Sequence, residues 1–390
     1  MSTLATIAGA LACLGMLFVL TGWAAVIRFA RRPPPPPPHP RPAVTVLKPL
    51  HGGEPLLEDA LATVFTQAYP DFQLVFGVQN AADPALAVVA RLRARFPDVP
   101  VDLVVDHTRH GRNGKIGNLI NMLRAARHDV LVIADSDVHA PPDWLDRVVA
   151  DLVRPGVGLV TTLYSGLPAQ PAAITRLGVT QIVHVLLPSA LIGRALGRQD
   201  CFGASMTLRR ETLDRIGGFR KLVDHLADDN VLGRLVRAEG LTVALAAVLP
   251  ATTVPEDRLK TLWSHELRWA RTMRALEPLG FAGSIVQYPV FWAAIAAVAS
   301  GGAGWAAGLV GVAWGVRALA ARGINRTLGL AIAPPFWLLP LRDVLSVAVL
   351  VTSFAGDRVE WRGHTLAADN GRDKTVLDTL DGDQEVRLLR

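Results

Sequence analysis

The apolar positions fall in long charge-free stretches at the two ends of the chain, with shorter alternating runs between them. Leu4 to Ile27 contains no charged residue. At about 1.5 Å per residue it is long enough to cross a hydrocarbon core of about 30 Å. A cleaved leader would be shorter, with its basic residues in front. Here Arg28, Arg31 and Arg32 come after the apolar run, so residues 1–28 read as an uncleaved anchor. A second uncharged stretch, Phe281 to Val316, has Gly301 and Gly302 near its middle and suits two helices joined by a hairpin. A third, Leu328 to Phe354, is interrupted by Arg342-Asp343 and by Pro334, Pro335 and Pro340. It spans, or dips in and returns, and its charged pair needs protein or water around it. Residues 281–356 are thus expected as transmembrane or re-entrant helices and 357–390 as a polar tail.

After the anchor, the uninterrupted prolines 33–38 make 29–42 an extended, semi-rigid spacer that would hold the next domain off the bilayer. From 43 to 257 strand-like and helical runs alternate. Val44–Leu47, Phe72–Val78, Val101–Val105, Val130–Ala134 and Gly158–Thr162 read as strands. Leu56–Thr66, Ala85–Arg95, Ile116–Ala126, Trp144–Leu152 and Val231–Ala238 read as helices. Short β-branched runs in β-α-β order predict an α/β domain, Rossmann-like, with a mostly parallel sheet covered on both faces. Ligands in such sheets bind beyond the carboxyl ends of the strands. Arg258 to Leu276 then alternates Leu259, Leu262, Trp263 and Leu267 with Lys260, Arg268, Arg271 and Arg274, which predicts an interfacial amphipathic helix within 258–280.

Composition agrees with a membrane protein: 51% of residues are hydrophobic and only 19% charged. Arg28, Arg31, Arg32 and Arg41 follow the first span, and Arg317, Arg322 and Arg326 follow the hairpin. By the positive-inside rule both clusters, and the domain between them, face the cytoplasm in a multi-pass inner-membrane protein. The net charge of +6 is scattered, with no basic stripe or interleaved aromatics, which argues for anionic headgroups and against nucleic acid. Two cysteines, Cys13 and Cys201, exclude a disulfide framework and a cysteine-based zinc site.

The strand ends are acidic. Val130–Ala134 runs into Asp135-Ser136-Asp137, where carboxylates at i and i+2 can face one Mg²⁺ or Mn²⁺ that also bridges a diphosphate. A solvated turn is the plainer alternative for the tripeptide alone. Phe72–Val78 runs toward Asp83-Pro84; Asp83 either accepts from a nucleobase or ribose, or caps the following helix. Lys115 and Asn118 open a helix and form a candidate anion cradle. Asp228-Asp229 precedes another helix, one carboxylate suited to a catalytic base and the other to a cap.

In this order, Val44 to Gly52, Val78-Gln79 with Asp83-Pro84, Lys115 with Asn118-Leu119, Asp135-Ser136-Asp137, Ala227-Asp228-Asp229 and Leu267-Arg268-Trp269 resemble the ceramide glucosyltransferases. The hopanoid biosynthesis-associated glycosyltransferases of bacteria are among that family's relatives. The likeness covers roughly residues 43 to 275. It implies a GT-A fold and inverting, single-displacement transfer from a UDP-sugar with a divalent cation. By position, Asp83 and Asp135 match the aspartates that bind nucleotide and metal-diphosphate, and Asp229 matches the base. Arg268 and Trp269 match the closing pair near the diphosphate. That motif usually begins with Gln or Arg where this chain has His265, and no role is carried onto His265. Asp137 as a metal ligand rests on geometry as much as on kinship.

The leading expectation is therefore sugar transfer to a membrane lipid hydroxyl. An Ala- and Arg-rich chain with short hydrophilic segments looks bacterial, which favours N-acetylglucosamine on a hopanoid polyol such as bacteriohopanetetrol over a hexose on ceramide. A processive polysaccharide synthase shares the fold, but few spans follow the catalytic domain here. A membrane scaffold with a degenerate domain is the non-enzyme alternative.

Overall fold

The computed structural model describes residues 2–331, 335–361 and 364–367. Pro334 and the polar tail beyond 367 lie outside the described residues. The chain opens with α1 (Thr3–Ala30), whose first turn is capped by Ser2 Oγ accepting from Ala5 N. The catalytic region runs β1 (Val44–Pro49), α2 (Leu57–Phe65), β2 (Phe72–Val78), α3 (Ala85–Arg95), β3 (Val101–Val105), α4 (Gly114–Leu123), β4 (Val130–Ala134), β5 (Val138–His139), α5 (Trp144–Leu152), β6 (Val157–Thr161) and β7 (Ser165–Pro168). Next, α6 (Ala173–Gln181) passes through a π-turn at Ile182–Leu186 into α7 (Leu187–Ala195). Then come β8 (Ser205–Arg209), α8 (Arg210–Arg215), α9 (Asp228–Ala238), β9 (Thr242–Leu245) and β10 (Ala251–Val254).

The main sheet has seven strands in the order β3-β2-β1-β4-β8-β6-β9. All its pairs are parallel except those of β8, which runs against β4 and β6. Alternation along the strands sends Val46, Phe76 and Val132 into one core with Trp144 and Val148. Leu47, Val75 and Ile133 enter the other with Leu119 and Leu232. Both faces are covered, as a continuous apolar strand requires. A small sheet, β5-β10-β7, takes one strand from just after β4 and another from just after β6.

Beyond it lie α10 (Leu259–Leu276), α11 (Pro278–Gly283), a 3₁₀ turn at Ser284–Gln287, α12 (Pro289–Ala299), α13 (Gly304–Leu328), α14 (Leu338–Ser353) and a short hairpin of β11 (Arg358–Trp361) with β12 (His364–Ala367). Among the described residues, three helical runs are long and apolar enough to cross a membrane: α1, α6–α7 and α13. The pair Pro278–Gln287 and Pro289–Ala299, bent by 68°, would make a fourth.

Three expectations change. The glycine hairpin forms, with Gly301 and Gly302 both at positive φ. Its first arm, α12, has only 11 residues, about 16 Å, and is too short to span alone. The third apolar segment forms α14 of 16 residues, about 24 Å long and also short of a span. Its charges are met by protein. Arg342 donates to both oxygens of Glu266 on α10 at 2.7 Å, and Asp343 accepts from Arg317 on α13 at 2.8 Å. Arg317 is therefore a buried partner, not a headgroup contact. The proline stretch does not stand the domain away from the anchor. Val26 and Phe29 of α1 are buried with Leu163 and Leu245 of the catalytic region, and Arg32 and Arg41 at the stretch's two ends pair with Asp151 and Asp146 of α5.

Candidate active site

The turn leaving β4 is shaped from beneath. Lys48, near the end of β1, is fully buried. Its Nζ donates to the carbonyls of Asp135, Ser136 and Val138 at 2.8, 3.3 and 3.2 Å. With three carbonyls held inward, the carboxylates of Asp135 and Asp137 line the cleft above. Burial pushes the Lys48 ammonium down to about 8, against the pull of Asp137, Asp135 and Glu54. Asp137 goes the other way, up to about 7. Burial is the main cause, and the neighbouring charges of Asp135 and Glu54 add to it. Glu54, from the loop after β1, accepts from Ser136 Oγ at 2.5 Å.

The second group stands at the amino end of α4, where Asn113 Oδ1 caps Ile116 N. Lys115 Nζ sits 2.6 Å from Asp135 Oδ1 and 3.7 Å from Asp228 Oδ2. It ties the β4 turn to the first turn of α9. Burial works against its charge, but Asp135, Asp228 and Asp229 outweigh burial, and its pKa is raised. Asn118 also has a structural bond, donating to Gly77 O at the end of β2.

Asp228 and Asp229 open α9, and their functions separate. Asp228 accepts from Asn113 Nδ2 and faces Lys115. Asp229 lines the cleft, its Oδ1 accepting from the neighbouring Asn230 N. Burial and the adjacent Asp228 push it up to about 7. A carboxylate there is poised to exchange a proton near neutrality. From across the cleft, α10 presents His265, Arg268 and Trp269. His265 Nδ1 pairs closely with Glu256, and its ring meets Trp269 edge-on at 4.5 Å between centroids.

Asp83 is placed differently. Its carboxylate accepts from Gly52 N at 2.9 Å and from Ala85 N at 2.9 Å, and it is not among the cleft residues. It fastens the His51–Gly53 loop and caps α3, the alternative weighed for an Asp before Pro. The structure gathers Asp135, Asp137, Lys115, Asn118, Asp229, Arg268 and Trp269 around one cleft of about 1360 Å³; Asp83 is not among the residues that line it.

The match to known proteins is now interpretable. The model of glycosyl transferase family 21 matches residues 5–374. The chain belongs to that family. It is 25% identical over 244 residues to ceramide glucosyltransferase 1 of Caenorhabditis elegans, covering 61% of this chain and 51% of the relative. It is 31% identical over 115 residues to the ceramide glucosyltransferase of Komagataella phaffii, covering 28% and 23%. The chain spans about half the length of the first of these and less of the second. Among solved structures, a mannosyltransferase from Pyrobaculum calidifontis in complex with GDP-Man and Mn²⁺ superposes with a TM-score of 0.53 at 22% identity, over 90% of this chain and 99% of that one. The fold is GT-A.

Within this family 21 chain, the residues that sequence reading left without a role are Lys48, Glu54, Glu256 and His265. Glu54 was within reach, since it follows a strand end. Lys48 was hidden by its place inside a strand. The helix Ala173–Ala195 was also passed over, yet it supplies one whole wall of the cleft, including Ile182, Val185 and Leu186.

Proposed function

We propose that this chain transfers a sugar from a UDP-sugar to the hydroxyl of a membrane lipid, by a single displacement that inverts the anomeric carbon. The observation that carries the reading is the mixed character of one cleft. Its lining brings Lys115, Asp135, Asp137 and Asp229 together with Phe18 of α1, Val185, Leu186 and Phe281. A charged donor and an apolar acceptor need both kinds of lining in one space, and the volume exceeds a usual single-ligand pocket.

In this reading Asp229 removes the acceptor hydroxyl proton as that oxygen bonds to the anomeric carbon. The bond to the donor's β-phosphate oxygen breaks, and its electron pair leaves with the nucleoside diphosphate. Arg268 stabilises the charge on the leaving group, and Lys115 keeps Asp135 in position. The donor set at the β4 turn fits a hard divalent cation: two carboxylates with Glu54 beside them, crowded enough to raise Asp137. Among the described residues no three His, Cys, Asp or Glu side chains form a metal-holding group. Asp135 and Asp137 would hold a Mg²⁺ or Mn²⁺; bound there, it would neutralise diphosphate charge.

Two acceptors remain to be told apart. The relatives' names favour ceramide, reversing the preference drawn from composition for a hopanoid polyol. Membranes from cells expressing the chain, incubated with radiolabelled UDP-glucose or UDP-N-acetylglucosamine and each lipid, test the proposal. Labelled glycolipid with ceramide is the expected result. Labelled polymer, or no lipid product with any pair, would overturn it.

A further inference from the structure

The apolar end of the cleft reaches unusually far along α1. Phe18 lines it, although Phe18 lies well inside a 28-residue helix of membrane-crossing length. The reason is two close approaches on one face of that helix. A Cβ on Gly15 would lie 2.5 Å from Val286 O and 3.2 Å from Pro289 Cα. A Cβ on Gly22 would lie 2.8 Å from Pro188 Cβ. Positions 15, 18 and 22 share a face at helical spacing. The glycines let α1 press against the 3₁₀ turn at Ser284–Gln287 on one side and α7 on the other, and Phe18 is the large side chain between the two crossings.

Beneath Phe18 is a second pocket of about 10 Å³, room for one water. It shares Phe18, Val185, Ser189 and Gln287 with the main cleft, but is also lined by His184 and Arg317. Ser189 Oγ donates to Gln287 Oε1 at 2.7 Å across this boundary. Phe18 therefore stands between the main cleft and this small pocket, whose remaining walls include Val19, Pro188, Ala320 and Ile324.

Resting on the reading above, we propose that Phe18 is the floor of a chamber for the acceptor lipid's hydrocarbon chain and sets the chain length the enzyme accepts. A ring at this depth caps the space open to methylene groups. The pocket beyond it, about 10 Å³, is too small to admit a chain. The occupant is an apolar chain because the chamber's side walls are Ile182, Val185, Leu186 and Phe281 and because it opens onto the proposed base.

The test uses the full chain in lipid nanodiscs with ceramides carrying a photoreactive diazirine at the far end of a short or a long N-acyl chain. Adducts mapped by mass spectrometry are expected on Phe18 and on Val185 to Ile192. Phe18→Trp should raise the ratio of long-chain to short-chain KM about tenfold, the cost of one overfilled position, and Phe18→Ala should lower it. Adducts confined to the outward residues Leu14 and Leu17, or an unchanged ratio in both variants, would overturn the proposal. Adducts in the chamber without sugar transfer to any lipid would sink the transfer reading and leave the chamber standing.

Discussion

Lys115 Nζ lies 2.6 Å from Asp135 Oδ1 while its other carboxylate, Asp228, stands 3.7 Å away. One ammonium thus links a strand end to a helix start that are separated in sequence by β5 to β8. Lys115→Gln would leave Asp135 and Asp228 facing each other with no cation between them. Transfer should fall about 10²–10³-fold, as for loss of a preorganised charge, with steady-state kinetics as the measure. An effect within about threefold would show that the ammonium only fills space.

Asp229→Asn should abolish detectable transfer while UDP-sugar binding, read by calorimetry, persists. In the unsubstituted enzyme the carboxyl is held near 7, so it is protonated and unable to accept a proton at lower pH. The rate should drop about tenfold per pH unit below that value and level off above it. A flat profile between pH 5 and about 8 would assign the proton to another group.

Asp135→Ala is expected to weaken donor binding and transfer together, in contrast to Asp229→Asn. Chelation of divalent cations should mimic it, and added Mn²⁺ or Mg²⁺ should rescue the unsubstituted enzyme but not the variant. Donor affinity measured with and without chelator decides the matter.

Lys48→Met keeps the volume and removes the donor for three buried carbonyls. The cost should be about 2–4 kcal/mol, seen as a lower thermal midpoint in detergent. Transfer should fall as well, since the turn carrying Asp135 and Asp137 loses its support.

Breaking the Arg342–Glu266 pair from one side should be far worse than removing both partners. Arg342→Met or Glu266→Leu alone strands a buried charge and should cost about 3–5 kcal/mol. The double variant should recover much of that. Comparing the three thermal midpoints tests this. Equal losses that simply add would mean the two residues are not energetically coupled.

Much of the catalytic fold was legible because its strands are short and β-branched and end at polar turns: β2, β3 and β4 have the bounds read from sequence. What escaped notice had mixed patterns. Ser205–Arg209 alternates polar and apolar residues, the pattern of a half-exposed strand, yet it lies between β4 and β6 and turns the sheet from all-parallel to mixed. Ala173–Ala195 carries Thr175, Arg176, Gln181 and His184, which lowered its apparent hydrophobicity. Three of these meet protein: His184 bonds Asn325, Thr175 donates to Glu256 O, and Gln181 accepts from Ser346 Oγ. In the site, acidic strand ends were visible from spacing, but spacing cannot say which hydrogen bonds a carboxylate accepts. That is why Asp83 turned out to be occupied by Gly52 and Ala85, and why Lys48 attracted no attention.

The burial of Val26 and Phe29 against the catalytic region bears on how the enzyme can be handled. Trimming the chain at the proline run to obtain a soluble fragment would expose Leu163 and Leu245 to water, release the grip of Arg32 on α5 and open the cleft along one side. The first helix is as much a wall of the enzyme as a tether. A truncated protein that aggregates or is inactive would be reporting a missing part, not a failed catalyst.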